Sequence, residues 1–304
     1  MKPSKTTHAL AGVYAAALTP LQADYSPALD QIPGLLAFLA QRGCHGALLL
    51  GTTGEGPSFS IKERSSIFQA ATVVRQTYPD FRLLAGTGTP SLEETIELTQ
   101  AAFDLGFDGS VVLPPYYFRK ASDAGLAAWF GELLRRAVPS DGRLFGYHIP
   151  GVSGVPLSTK LLSDLSQAYP GRFAGIKDSS GDPNLARELG ERFGQNLLLL
   201  TGNERLFSHA LQNGAGGCIT AIANLHSPLL RRVWDGYQSG QPDVQAQAEL
   251  DHYRKIMDNY QPFAPTLKVL LAEYHNFPRW TVRPPLLPLP PGIDDQVIQK
   301  MRSV

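Results

Sequence analysis

Short apolar runs recur along the chain, and each is closed by a polar or glycine-containing turn before a longer stretch with helical spacing begins. The runs are GVYAAAL from Gly12, GALLL from Gly46, RLLAG from Arg82, GSVVL from Gly109, RLFGY from Arg143, RFAGIK from Arg172, NLLLL from Asn196 and GGCIT from Gly216. Their continuous apolar character predicts strands covered on both faces, as in a parallel sheet. Between them, Leu29 to Arg42 places Ile32, Leu35, Leu36 and Leu39 on one helical face, and Lys62 to Thr77 does the same with Ile67, Phe68, Ala71 and Val74. Ser91 followed by Glu94 has the spacing of a capping box.

Eight such βα units predict an α/β fold of the closed (β/α)8 class, a TIM barrel. A doubly wound open sheet fits less well, because the first turn reads TPLQADYS where a dinucleotide fold carries GxGxxG. After the eighth run only helical spacing continues, near Ser227 to Ser239, Val244 to Tyr260 and Pro265 to His275. The expected organisation is a barrel over residues 1–224 and a C-terminal helical region over 225–304. In the latter, Pro278, Pro284, Pro285, Pro288, Pro290 and Pro291 forbid a regular helix and predict an extended tail packed on the surface.

A chain of 304 residues is long enough for a barrel with an extension. Lysine plus arginine total 27 and aspartate plus glutamate total 27, so no sequence-wide basic field invites nucleic acid or an anionic membrane. The expected partner is a small molecule or another copy of the chain. Cys44 and Cys218 stand far apart without CxxC spacing, which argues against a disulfide framework and a zinc site. MKPSKTTHAL lacks the apolar stretch of a secretory leader, and Leu10 to Leu18 is too short to span a bilayer. A soluble cytoplasmic protein is the expectation.

Active sites of (β/α)8 barrels lie at the C-terminal strand ends, so the polar residues closing each run form a site map. They are Thr19, then Gly51-Thr52-Thr53-Gly54-Glu55, Pro115-Tyr116-Tyr117, Tyr147-His148, Lys177-Asp178, Gly202-Asn203-Glu204-Arg205 and Thr220. Lys177 closes an apolar strand, where desolvation lowers a lysine pKa. At the reference value only about one amine in 2,500 is neutral at pH 7, so such lowering matters for a nucleophile that attacks a carbonyl to form a Schiff base. A structural ion pair with Asp178 is the competing reading. The GTTGEGP turn offers hydroxyls and backbone amides suited to a carboxylate, or else a threonine that caps the next helix. Tyr147 is placed to relay a proton, or to fill the barrel rim as an aromatic. His148 points to the opposite strand face and is given no chemical role.

Together, GTTGE at Gly51 to Glu55, PPYY at Pro114 to Tyr117, YHIPGVSG at Tyr147 to Gly154 and GIKDSSGD at Gly175 to Asp182 resemble the pyruvate-dependent aldolase family that includes dihydrodipicolinate synthase and N-acetylneuraminate lyase. The resemblance covers roughly Val13 to Asn224, with a helical tail as expected. It implies that Lys177 forms the Schiff base, that Tyr147 transfers protons, and that Thr52 and Thr53, with Gly51, bind the pyruvyl carboxylate and complete the relay. Tyr117 matches a tyrosine that reaches a neighbouring subunit's site in the synthase branch, within a homotetramer. Gly202, Glu204, Arg205, Ile219 and Thr220 fall where the family lines its substrate channel. No metal and no dissociable cofactor are implied.

The synthase branch carries an arginine five residues after the tyrosine, whereas this chain has Val152, which cannot anchor a carboxylate as a guanidinium does. Neuraminate lyases carry an acidic pair where Glu204 is followed by Arg205. The resemblance therefore implies an aldolase that cleaves or forms a 2-keto-3-deoxy acid, with pyruvate and an aldehyde as partners. Left open are a 4-hydroxy-2-oxoglutarate or N-acetylneuraminate aldolase, 4-hydroxy-tetrahydrodipicolinate synthase, and a Schiff-base dehydratase. A non-catalytic keto-acid-binding barrel is the alternative from another class. Arg205 either pairs a distal carboxylate or faces solvent.

Overall fold

The computed structural model describes residues 8–302. The N-terminal stretch on which the leader argument rests thus begins outside the described residues, at positions 1–7.

All eight apolar runs are strands: β1 Gly12–Ala16, β2 Gly46–Leu49, β3 Arg82–Gly86, β4 Gly109–Val112, β5 Leu144–His148, β6 Phe173–Asp178, β7 Leu198–Thr201 and β8 Gly217–Thr220. They close in sequence order into a barrel, and the pairings are parallel wherever register is defined, as in β3 with β4 and β6 with β7. The alternating helices are α1 Ile32–Gln41, α2 Ile61–Ala71, α3 Leu92–Asp104, α4 Asp123–Ala137, the single turn α5 Pro150–Ser153, α6 Thr159–Ala168, α7 Pro183–Phe193 and α8 Phe207–Gln212. Four more follow, α9 Ala223–Ser239, α10 Val244–Met257, α11 Phe263–His275 and α12 Ile293–Arg302.

The helical faces read from spacing are the buried ones: α1 buries Ile32, Leu35, Leu36 and Leu39. α2 buries Ile67, Phe68 and Ala71 before the chain tightens into a 3-10 turn over Thr72–Gln76 that buries Val74. Ser91 accepts from the Glu94 amide as expected, and at Ser60 the box is reciprocal, with Glu63 returning a bond to the Ser60 amide at 2.8 Å.

The chain divides into two compact units, one formed by Val13–Phe81 with the residues from Thr220 onward, the other by Arg82–Ile219 with the residues up to Gly12. In the second unit, Phe130, Leu133, Leu161, Leu162 and Phe173 form an apolar layer between helices and strands, with Phe130 edge-on to Phe173 at 6.4 Å. In the first, Asn224 is wholly buried; its amide accepts from Leu18 N at 3.2 Å and donates to Ala16 O at 2.9 Å. That pins the start of α9 to the end of β1.

The proline-rich segment is without helix or strand and packs onto the protein through Trp280 and Val282, which are buried. Proline removes amide donors and so forbids a helix, yet it leaves side chains free to pack. The helical region also resumes in α12, where Val297 and Met301, four residues apart, supply a narrow buried stripe.

Candidate active site

β5 and β6 shift register between Leu144 and Phe145, and beyond that point Tyr147 lies opposite Lys177 and His148 opposite Asp178. Strand alternation therefore sends Tyr147 and Lys177 to one face and His148 and Asp178 to the other. Tyr147 and Lys177 are each 3% exposed, and the Lys177 Nζ lies 3.8 Å from the centroid of the tyrosine ring. The amine thus rests against the aromatic face of Tyr147. Asp178 is turned away from Lys177, and its Oδ1 accepts from the Ser180 amide at 3.0 Å.

On the far face, His148 Nδ1 accepts from the Leu157 amide at 3.0 Å. Burial holds the imidazole below its ordinary pKa, against the pull of the Asp178 charge. Burial likewise raises the Asp178 carboxyl, partly offset by its bonds to Ser180 and by His148. The imidazole fastens β5 to the segment leading into α6.

The turn after β2 is held in a shape few residues tolerate. Leu50 and Glu55 both have positive φ, 57° and 56°, in the left-handed region that favours glycine. A Cβ on Gly54 would come within 2.7 Å of Ala17 O, and one on Gly56 within 2.0 Å of Leu50 O, so the backbone is packed directly on backbone. Thr19 Oγ1 donates to Gly54 O at 2.7 Å. Thr53 is buried and Thr52 exposed. The helix-cap alternative for these threonines fails, because the N-cap of α2 is Ser60.

The remaining candidates lie on β8 and on the segments after β4, β5 and β7. Gly202 passes so close to β6 that a Cβ would sit 1.8 Å from Ser179 Oγ, and its amide donates to Asp178 O at 2.6 Å. Glu204 is buried, Arg205 is exposed, and Ile219 and Thr220 are buried at the end of β8. The Thr220 Oγ1 is buried without a hydrogen-bond partner among the described residues. Tyr117 is 77% exposed, beside Phe118 at 69%, and Val152 of α5 is exposed.

Sequence reasoning missed one element. The Glu55 carboxylate is fully buried and bonded to Lys268 of α11, Nζ to Oε1 at 2.5 Å, while its Oε2 accepts from the Arg283 amide at 3.0 Å. A signal was present: Lys268 stands within Ala264 to Leu271, where every residue is buried, and a lysine there requires a partner.

A closed parallel barrel defines a TIM-barrel protein, and its buried lysine against a tyrosine at adjacent strand ends makes that end the candidate site. The profile of the dihydrodipicolinate synthetase family matches residues 9–303. The chain is 39% identical over 279 residues to an "Uncharacterized DapA-like lyase" of Chloroflexus aurantiacus, covering 91% of each. The crystal structure of dihydrodipicolinate synthase from Agrobacterium tumefaciens superposes with a TM-score of 0.86 at 28% identity, over 96% of this chain and 98% of that one. YagE, a prophage protein of that synthase family from E. coli K12 solved in complex with pyruvate, superposes with a TM-score of 0.90 at 24% identity, over 97% and 98%. The chain belongs to the dihydrodipicolinate synthetase family and is a lyase of that pyruvate-using, class I aldolase group. No described helix is long and apolar enough to cross a membrane.

Proposed function

We propose that this lyase cleaves or forms a 2-keto-3-deoxy acid through a Schiff base on Lys177, with pyruvate as the three-carbon product or donor. The observation that carries the reading is the buried Lys177 amine stacked 3.8 Å from the Tyr147 ring. The Lys177 amine attacks the C2 ketone and water leaves, giving an iminium. The C3–C4 bond then breaks, and its electron pair flows into the iminium to leave an enamine. Tyr147 takes the proton of the C4 hydroxyl as the aldehyde departs, and Thr53 passes that proton on. Protonation at C3 and hydrolysis release pyruvate and restore the amine.

Thr52, Thr53 and the amides of the Gly51 turn are assigned the keto-acid carboxylate, since oriented backbone amides form an anion-binding concavity. Gly202, Glu204, Arg205, Ile219 and Thr220 are assigned the distal part of the substrate. The exposed Tyr117 is assigned to the site of a neighbouring copy in a homotetramer. Val152 in place of an arginine favours an aldehyde without the carboxylate that the synthase reaction anchors there.

Borohydride reduction in the presence of pyruvate, followed by mass spectrometry, tests the chemistry: a reduced pyruvyl adduct is expected on Lys177. An unmodified Lys177 at saturating pyruvate refutes the mechanism. Turnover of 2-keto-3-deoxygluconate, 4-hydroxy-2-oxoglutarate, N-acetylneuraminate and aspartate semialdehyde with pyruvate then tests the substrate. Preference for the last overturns the argument from Val152.

A further inference from the structure

Glu55 occupies a left-handed backbone position, φ 56° and ψ 27°, where glycine would be unstrained and glutamate is not. A residue retained at such a cost is held there by what its side chain does. The carboxylate is buried completely, as is its partner, with side-chain exposures of 0% for Glu55 and 1% for Lys268. Lys268 also donates to Thr281 O at 2.7 Å, and the second carboxylate oxygen takes the Arg283 amide. The Arg283 guanidinium then bonds Ser58 O at 2.8 Å, Tyr25 O at 2.6 Å and both Glu63 oxygens. The β2 turn is thereby bolted to α11 and to the proline-rich segment.

We infer that Glu55 and Lys268 are positioning residues, through which α11 and the segment around Thr281 to Arg283 set the conformation of the Gly51–Glu55 turn for keto-acid binding. The inference rests on the proposal that this turn holds the substrate carboxylate. Burying an ion pair is a poor device for stability alone, because an apolar pair of similar volume usually serves as well. Its value lies in direction: the carboxylate is fixed by two donors from separate elements, and the turn residues Thr52 and Thr53 lie three and two positions before it. Thr19 Oγ1 on Gly54 O, Gly56 N on Gly51 O at 3.1 Å and Glu55 N on Thr52 O at 3.2 Å also support the turn, but they hold it within its own neighbourhood, whereas the Glu55 carboxylate ties it to α11 and the segment around Arg283.

The test compares Lys268→Met, Glu55→Gln and the double variant, reading thermal stability alongside the pyruvate concentration for half-maximal borohydride trapping of Lys177. Lys268→Met strands a buried carboxylate and is expected to lower the melting temperature, and the double variant, which buries no charge, to recover much of it. The double variant is nonetheless expected to need at least tenfold more pyruvate, with adduct still reaching completion at saturation. Amide exchange is expected to quicken over residues 50–56. A double variant that is folded and traps pyruvate like the wild type overturns the positioning role and leaves the Schiff-base proposal intact. Absence of trapping in the wild-type protein removes that proposal itself. If the variants lacking Lys268 do not fold, Glu55→Gln alone carries the same comparison.

Discussion

Replacing Tyr147 by phenylalanine removes one oxygen from a residue that is 3% exposed and leaves the ring against which Lys177 Nζ rests at 3.8 Å. The cation–π contact, about 0.5–2 kcal/mol, is retained, and no cavity larger than a hydroxyl is opened. What disappears is the acceptor for the C4 hydroxyl proton. A positioned acid–base group contributes about 10²–10⁴-fold, and at about 1.36 kcal/mol per decade that raises the barrier by about 2.7–5.4 kcal/mol. Steady-state kcat for aldol cleavage is therefore expected to fall by about 10²–10⁴, while the melting temperature stays near that of the wild type. Borohydride is expected still to trap pyruvate on Lys177, because trapping reports the imine and not carbon–carbon cleavage. Tyr147→Leu, which also removes the aromatic face, is expected to lose trapping efficiency as well. A Phe variant with kcat within threefold of the wild type would refute the relay and leave Tyr147 as a rim aromatic.

Gly56→Ala is expected to disrupt the β2 turn, since its Cβ would lie 2.0 Å from Leu50 O; a loss of about 1–3 kcal/mol or more in chemical denaturation, with weakened pyruvate trapping, is the expected pattern. His148→Leu orphans the buried Leu157 amide now held at 3.0 Å and is expected to cost about 1–3 kcal/mol without changing the extent of trapping on Lys177. The Arg283 guanidinium holds the Glu63 carboxyl down to about 2 from an ordinary 4.5. A depressed folded-state pKa contributes stability that is complete above about pH 4.5 and lost as pH falls toward 2. Urea midpoints followed from pH 6 to 3 should therefore drop less steeply in Arg283→Met than in the wild type; parallel profiles would refute the linkage. Sedimentation should show a tetramer at micromolar concentration, and a monomer would remove the role assigned to Tyr117.

The barrel was legible because each strand is a continuous apolar run between turn residues, a pattern set by local composition. Lys177 and Tyr147 were legible for the same reason, each being a polar residue at the end of such a run, and their adjacency follows from parallel register once β5 and β6 pair. α12 was less legible, because Val297 and Met301 are its only buried residues and so narrow a stripe falls short of the usual amphipathic signal. The non-helical character of the proline-rich segment is legible in its prolines, but the burial of Trp280 and Val282 depends on what packs over them.

The strand and helix pattern, the motif residues and the departure at Val152 are properties of consecutive positions and can be read from them directly. The role of Glu55 is different, since it emerges only when distant segments meet. In the sequence it closes the GTTGE motif and reads as part of the substrate turn. In the fold its carboxylate points away into α11, 213 positions along the chain at Lys268. No local rule reports such a pairing, because a buried charge is tolerated only when a partner arrives from elsewhere, and which partner arrives is settled by packing.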